Sequence, residues 1–489
     1  MNKANILPFI TLFILSVVLC LNFNQSPIYN YFIDDSSIYQ YIGSLILKGS
    51  MPYRDIFDHK GPIVYLYHAL GQYIHPLNGQ FYLEIISIFI ASIFAFKIAN
   101  IYNSKIVSLL IVSIILANIP ALDTFGNTEI QSWPFLFYIT LQFIQTINSS
   151  KITPKTSFFL GLSAGFLSLI KFNYLLYPFF MLFTIFIILL KNKEFLLVKK
   201  YLLFGVLGFI SVLIPTLFWL YVNDTLYNFY DNYIVFNLFY ASKNSNFNRI
   251  VFCFEYISQL RFVKYSFYFP IALICLIKFC SSKERLISLI CIFLYYLTFL
   301  SLVVTGNPYI HYALLFYPLT LVILALIISK IKYKKATILL LIVFGLYFAN
   351  NSLIRSNVYK KSSTYNIEKM KEISYHIQNY LAPNETFLYL GELHALPYLY
   401  SNRQHSNLYA YNFIVKNIMP EKFQENFKSF PPNLILAQKN NIKEFNVDLT
   451  PYQLIYFDGT FLIYALPSFV ATKNTPFICT PNKGPNNNR

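Results

Sequence analysis

The sequence is short of charge, and of acid above all. Only 12% of its 489 residues are Asp, Glu, Lys or Arg, and the acidic ones number 21 against 38 basic ones. With 56% hydrophobic residues and a mean hydropathy of +0.50, the chain fits no water-soluble globular class. Cysteine is sparse too. Cys20, Cys253, Cys275, Cys280, Cys291 and Cys479 are scattered with no CxxC pair, so neither a zinc site nor a disulfide framework is indicated. No HExxH, Walker loop, GxGxxG or GxSxG stands in a usable context, which leaves ATP, zinc and nicotinamide chemistry unsupported. There is no internal repeat and no inverted pattern of broken helices, which weakens a transporter reading.

What the chain has instead is apolar runs of about 17–22 residues, long enough to cross a hydrocarbon core as helices. About eleven are expected, near 5–23, 80–102, 104–121, 132–148, 156–172, 174–190, 201–222, 266–281, 285–304, 310–329 and 336–353. The first follows Lys3 but lacks a small-x-small cleavage site, so it reads as a retained anchor. Lys3, Lys105, Lys151, Lys155, the 191–200 lysines, Lys278, Lys283, Arg285 and the 330–335 lysines all fall on one side of the alternating topology. The positive-inside rule makes that side cytoplasmic. The net charge of +17 is therefore largely a topology signal, and nothing clusters it on a soluble face as nucleic-acid binding would require. This topology places the amino terminus inside and three large segments outside: 24–79, 223–265 and everything after about residue 354.

Past the last run the pattern changes. A helix is expected over Thr364 to Leu381, where Ile367, Met370, Ile373 or Ser374, Ile377 and Leu381 recur at helical spacing before Pro383. Short strand-like runs follow at 387–391, 433–437 and 453–457, the last joined through Asp458-Gly459, a hairpin signal, to 460–466. This predicts a small α/β extracytoplasmic domain over 354–471 and a disordered tail over 472–489. The transmembrane domain is 1–353.

Two amphipathic helices are expected in the first outer loop. One starts at Asp34-Asp35-Ser36, presents Ile38, Tyr41, Ile42, Leu45 and Ile46, and ends at Gly49; the other starts at Pro62 and carries Ile63, Leu66, Tyr67, Leu70 and Ile74. Both are expected to lie flat on the membrane, holding Asp34-Asp35 and the 55–60 stretch at the depth of a lipid carrier's phosphate. Adjacent carboxylates with a His-Lys pair suit sugar transfer: a carboxylate takes the proton from an acceptor hydroxyl, and cations stabilise charge on the departing phosphate. The residues alone equally allow Asp34 or Asp35 to cap a helix and Lys60 to snorkel.

The pattern Asp34-Asp35-x3-Tyr39-x9-Gly49-x2-Pro52-Tyr53-x-Asp55-x2-Asp58-His59-Lys60-Gly61-Pro62 resembles the first-loop signature of the GT-C glycosyltransferases. Within that superfamily it is similar to bacterial relatives of the protein O-mannosyltransferases and of the lipid A aminoarabinose transferase. The resemblance implies a GT-C-like membrane bundle in a bacterial cytoplasmic membrane. It also implies an inverting transferase that takes a sugar from a polyprenyl-phosphate donor to an extracytoplasmic glycan, lipid or protein, with no nucleic acid involved. Asp34 would be the general base and Asp35, where many relatives have glutamate, its less certain partner. Lys60 would meet the donor phosphate beside His59, with Asp55 and Asp58 orienting Lys60 or binding a divalent cation; no ligand spacing demands a metal.

Four further residues match positions where such proteins carry functional groups. Glu129 sits in the second outer turn; Lys171 ends a run on the outer side against the charge trend; His311-Tyr312 opens a late run. A solvated turn charge, a snorkelling lysine and a structural histidine are the plain readings of the same residues. His68, His75, His376, His394 and His405 have nothing in the sequence to single them out. The runner-up readings are a polymerase or ligase using a polyprenyl-diphosphate glycan, and a lipid-linked sugar flippase.

Overall fold

The computed structural model describes residues 6–23, 26–29, 34–76, 78–119, 126–149, 151–239, 268–304, 310–392, 394–410, 419–473 and 476–477; the side chains of Asp34, Ile310, Lys334 and residues 301–304 and 352–366 are outside the description. Expectations concerning Cys253, Cys479, the second outer loop past residue 239 and the tail past residue 477 lie outside the described residues. The chain divides into two compact units, Met1–Asn30 with His59–Tyr359, and Tyr31–Asp58 with Lys360–Arg489.

The first unit is helical: α1 (Leu7–Leu21), then α3 (Pro62–Ile74), α4 (Gly79–Tyr102), α5 (Lys105–Ala117), α6 (Thr128–Ser149), α7 (Pro154–Ile170), α8 (Leu176–Lys191), α9 (Phe195–Val222), α10 (Leu226–Phe229), α11 (Tyr268–Leu276), α12 (Ser282–Val304) and α13 (Tyr317–Ser329). A π-helical turn, Tyr230–Val235, follows α10, and a 3-10 turn, Ile310–Phe316, leads into α13. Each expected apolar run lies on a helix. By length and composition, however, only Gly79–Tyr102, Phe172–Lys191, Phe195–Val222 and His311–Ser329 among the described residues are long and apolar enough to cross a membrane, so the count of eleven crossings does not follow from these two properties. The reason is visible in α5 and α7, whose apolar stretches are shorter helices of 13 and 17 residues.

Burial is distributed as in a bilayer. The helical stretch His311–Ser329 has 78% of its apolar window inside the protein, whereas α9 has 17% and exposes Leu203, Val206, Ile214 and Phe218. Such a surface has a proper solvent only in hydrocarbon. α9 is held instead by close backbone approach to α7. A Cβ on Gly161 would stand 1.8 Å from the Gly205 carbonyl oxygen, and one on Gly208 2.0 Å from that of Phe158. Small residues let the two helices touch, as apolar side chains alone gain little from leaving lipid. At its amino-terminal end α7 starts with Pro154 at N1 and Thr153 capping, its hydroxyl accepting the Thr156 N–H at 3.1 Å. Its carboxyl-terminal end presents Lys171.

The second unit joins α2 (Asp34–Ile46) to the carboxyl-terminal domain: the end of α14 (Lys334–Tyr380), α15 (Leu396–Ser401), α16 (Pro420–Ser429), α17 (Pro467–Ala471) and a five-stranded sheet. Its strands β1 (Thr386–Leu390), β2 (Gln404–His405), β3 (Leu434–Gln438), β4 (Gln453–Phe457) and β5 (Phe461–Ala465) lie in the order β2-β1-β3-β5-β4. β1 runs parallel to β2 and β3, and β5 antiparallel to β3 and β4. All five residues of β3 are buried, as suits a central strand with two faces covered. The Asp458-Gly459 turn forms as expected: Gly459 takes φ +91, and Asp458 Oδ1 accepts the N–H groups of Thr460 and Phe461 at 2.8 and 2.7 Å.

Two expectations need correcting. The helix expected to begin at 364 is the last part of the 47-residue α14, because nothing between 353 and 364 is a glycine or proline that would break it. And the apolar face of α2 is not free for the membrane: Ile38, Tyr41, Ile42 and Leu45 are each 3% exposed or less, with Tyr41 stacked on Tyr398 of α15 at 5.0 Å. Amphipathicity marks the face that is buried without saying whether lipid or protein buries it. For α3 the corresponding residues Leu70 and Ile74 remain 49% exposed, while Val64, Tyr65 and His68 face inward.

Candidate functional site

In the helical unit the His59-Lys60-Gly61-Pro62 stretch is fixed to the carboxyl-terminal end of α7 by main chain. Gly61 N–H donates to the Ile170 carbonyl at 3.0 Å, and a Cβ on Gly61 would lie 2.0 Å from the Leu169 carbonyl oxygen. Its φ of −72 is open to any residue, so it is the approach and not the dihedral that requires glycine. One residue away on each strand of this junction stand Lys60 and Lys171. Lys60 is 8% exposed; its ammonium donates to His59 Nε2 at 3.1 Å, and its own N–H donates to the Tyr65 hydroxyl at 3.1 Å. The segment after α10 covers the junction: Asn237 Nδ2 donates to the His59 carbonyl at 2.7 Å, Tyr233 hydroxyl to that of Ser168 at 2.6 Å, and Phe236 packs on the His59 ring at 5.4 Å. We expect Gly61→Ala to force these backbones apart, costing about 1–3 kcal/mol by overpacking. It should lower the thermal midpoint in detergent; an unchanged midpoint would contradict the junction.

Around Lys171 gathers a second group of sequence-predicted residues. Glu129, fully buried in the first turn of α6, accepts the Tyr174 hydroxyl on Oε1, and Tyr174 meets Thr128 Oγ1 at 2.5 Å. Lys171 Nζ is 3.9 Å from Glu129 Oε1 and sits over the Tyr312 ring at 4.1 Å and the Tyr174 ring at 5.3 Å, in cation–π geometry. His311 acts on the same carboxylate electrostatically, its ring edge-on to Tyr312 at 4.9 Å. What brings 310–316 here is Trp133, fully buried one turn beyond Glu129, whose indole N–H donates to the Leu314 carbonyl at 3.0 Å. Glu129, Lys171, His311 and Tyr312 thus form one cluster, with Tyr174 and Thr128 as members that sequence reasoning did not single out.

An apolar groove of about 700 Å³ runs between α3, α4, α6 and α7, walled by Tyr67, Phe94, Phe135, Tyr138 and Phe166 among others. It follows α7 from Lys155 to Ile170, roughly 22 Å at 1.5 Å per residue, and ends one residue before Lys171. Within its wall, Gln131 donates to His68 Nε2 at 2.9 Å and Tyr67 pairs with Ser87 at 2.9 Å, near the fully buried Glu84 of α4. His68 and Glu84 had no sequence signal beyond an ionisable group on an apolar face.

The remaining predicted residues belong to the second unit. The side chain of Asp34 lies outside the described residues; the backbone of α2 starts there. Asp35 accepts the Tyr39 hydroxyl on Oδ2 at 2.8 Å. Asp55 is committed locally, accepting Met51 N–H at 2.7 Å and both Arg54 Nε and a terminal Arg54 nitrogen at 2.8 and 2.9 Å. The Arg54 guanidinium holds its carboxyl below the usual carboxylate range. The turn it closes places Tyr53 at φ +71, an uncommon conformation for a bulky residue. Asp58 is 2% exposed. Among the described residues no three His, Cys, Asp or Glu side chains are grouped as a metal site would need.

A helical unit with an exposed apolar surface, and a unit in which an α/β domain is joined to the first-loop segment 31–58, are the architecture expected from the first-loop resemblance. Solved structures bear this out at the level of fold. ArnT from Cupriavidus metallidurans bound to undecaprenyl phosphate aligns over 96% of this chain and 99% of its own, with a TM-score of 0.62 at 11% identity. The same protein in the apo state gives 0.61 at 10% over the same shares. No protein family model and no curated protein matches the sequence.

Proposed function

We propose that this chain is a multi-pass glycosyltransferase of a bacterial cytoplasmic membrane, moving a sugar from a polyprenyl-phosphate donor to an extracytoplasmic glycan, lipid or protein. The observation that carries the reading is the apolar groove along α7, whose lining reaches Ile170, the residue before Lys171: a long hydrocarbon chain needs such a groove, and its phosphate head needs a cation. The undecaprenyl phosphate bound to the structurally similar ArnT supports the same donor class. In this reading Lys60, His59, Lys171 and His311 hold the donor phosphate, and Tyr312 and Glu129 fix Lys171. Asp34 takes the proton of the acceptor hydroxyl as its oxygen attacks the anomeric carbon, with Asp35 beside it. The bond from that carbon to the phosphate oxygen breaks with its electron pair on phosphate, the configuration inverts, and the cations stabilise the departing charge. The loop and the carboxyl-terminal domain lie outside the cell and the amino terminus inside.

The test is reconstitution in liposomes with a radiolabelled polyprenyl-phosphate sugar and a membrane extract as acceptor source. Label should move from the carrier into a new product. Movement of intact carrier across the bilayer without transfer would instead make the protein a flippase, and use of diphosphate-linked glycan alone would make it a polymerase or ligase.

A further inference from the structure

In the second unit His405 joins three pieces of chain that are far apart in sequence. Its Nε2 lies 2.9 Å from the Asp55 carbonyl oxygen, which can only accept, so Nε2 carries the proton and Nδ1 is an acceptor. Nδ1 is 2.7 Å from the Tyr41 hydroxyl, which therefore donates to it; that hydroxyl in turn accepts the backbone N–H of His405 at 3.0 Å. The ring is edge-on to Tyr41 and Tyr398 at 5.6 and 6.2 Å. Burial depresses the histidine below its ordinary range, keeping the neutral tautomer that both bonds require. Around it the same two stretches of chain are tied repeatedly. Ala395 N–H donates to Ser37 Oγ at 3.0 Å, Lys48 Nζ to Asn402 Oδ1 at 2.9 Å, and Phe57 N–H to the Leu408 carbonyl at 2.9 Å.

We propose that His405 is a positioning residue for the first-loop acids. From the outer domain it grips both α2, which begins with Asp34-Asp35, and the 51–56 turn, three residues ahead of Asp58. A single side chain thereby ties the Tyr41 hydroxyl of α2 and the Asp55 main chain, two points within the segment from Asp34 to Asp58. The carboxyl-terminal domain is in this view a clamp on the catalytic loop. The inference rests on the proposed role of that loop, but its first readout does not.

The test uses the full-length protein with His405→Phe, which keeps a ring against Tyr41 and Tyr398 but makes neither hydrogen bond, and His405→Gln, whose amide can restore the donor to Asp55. Amide hydrogen exchange is expected to rise about tenfold or more over residues 51–57 and the first turn of α2 in the Phe variant, with β3 and β5 unchanged. Transfer should lose about tenfold in kcat with donor KM within twofold of the parent, and Gln should recover at least half of both effects. Unchanged exchange in the loop, or an equal rise throughout the sheet, overturns the clamp. Raised loop exchange with undiminished kcat overturns the positioning role, while loss of lipid-linked transfer by the parent protein itself would overturn the functional reading and leave the exchange result standing.

Discussion

Lys171→Met is expected to lower transfer from a polyprenyl-phosphate sugar by at least about 100-fold, the scale seen when one preorganised donor to a developing anion is removed. Methionine keeps the length and apolar stem of lysine and so preserves contact with the Tyr312 and Tyr174 rings. What it removes is the charge 3.9 Å from Glu129. That removal acts in two ways: the donor phosphate loses a cation, and a buried carboxylate loses a partner, at about 1–3 kcal/mol of stability. The double variant Glu129→Gln with Lys171→Met separates them, since it leaves no charge in need of compensation. If the lysine serves only to neutralise Glu129, the double variant regains activity as well as stability. If it meets phosphate, stability returns and transfer does not. Lys171→Arg should retain more transfer than Met, though not all, because guanidinium keeps the charge and can stack on the Tyr312 ring but is bulkier than the compact ammonium it replaces. A single Met variant active within a few-fold of the parent would reduce Lys171 to a snorkelling cation.

How much of this was legible depends on which kind of signal each residue carries. Apolar length located the helices, because a bilayer imposes one period and one thickness, yet it could not say which shorter helices cross. The hairpin at Asp458-Gly459 and four of the five strands were legible from turn chemistry and short apolar runs; the two-residue β2, Gln404–His405, has no periodicity to read. Lys171 stood out by violating the charge trend, and Glu129 by matching an acidic position of the resembled family in a turn without lysine or arginine. Tyr174 and Thr128 did not, since among 41 tyrosines none is distinctive until its hydroxyl is seen on a buried carboxylate. Gly61 appeared in the motif only as a spacing element, and its reason, contact with the Leu169 carbonyl, lies 108 positions along the chain. His405 was background for the same cause: its partners Tyr41 and Asp55 are 364 and 350 residues away, and no local pattern encodes such a contact.

The acidic pair offers the sharpest discrimination between the catalytic and the structural reading of the first loop. Asp34→Asn should abolish transfer by about 10²–10⁴-fold, the usual contribution of a positioned general base. The amide is isosteric and cannot take a proton at neutral pH, but it caps a helix as well as aspartate does. Stability should therefore stay within about 0.5 kcal/mol of the parent, and insertion should be unaffected. Asp34→Ala should lose the same activity and, if α2 relies on this residue as a cap, about 1 kcal/mol in addition. Asp35→Asn should be milder, because its carboxylate already accepts the Tyr39 hydroxyl, and an amide oxygen can accept that bond without a charge. An Asp34→Asn protein that transfers sugar like the parent would return Asp34 to the role of helix cap. If Asp35→Asn were the inactive one, the base would move one residue along α2 and Tyr39 would become the group that orients it.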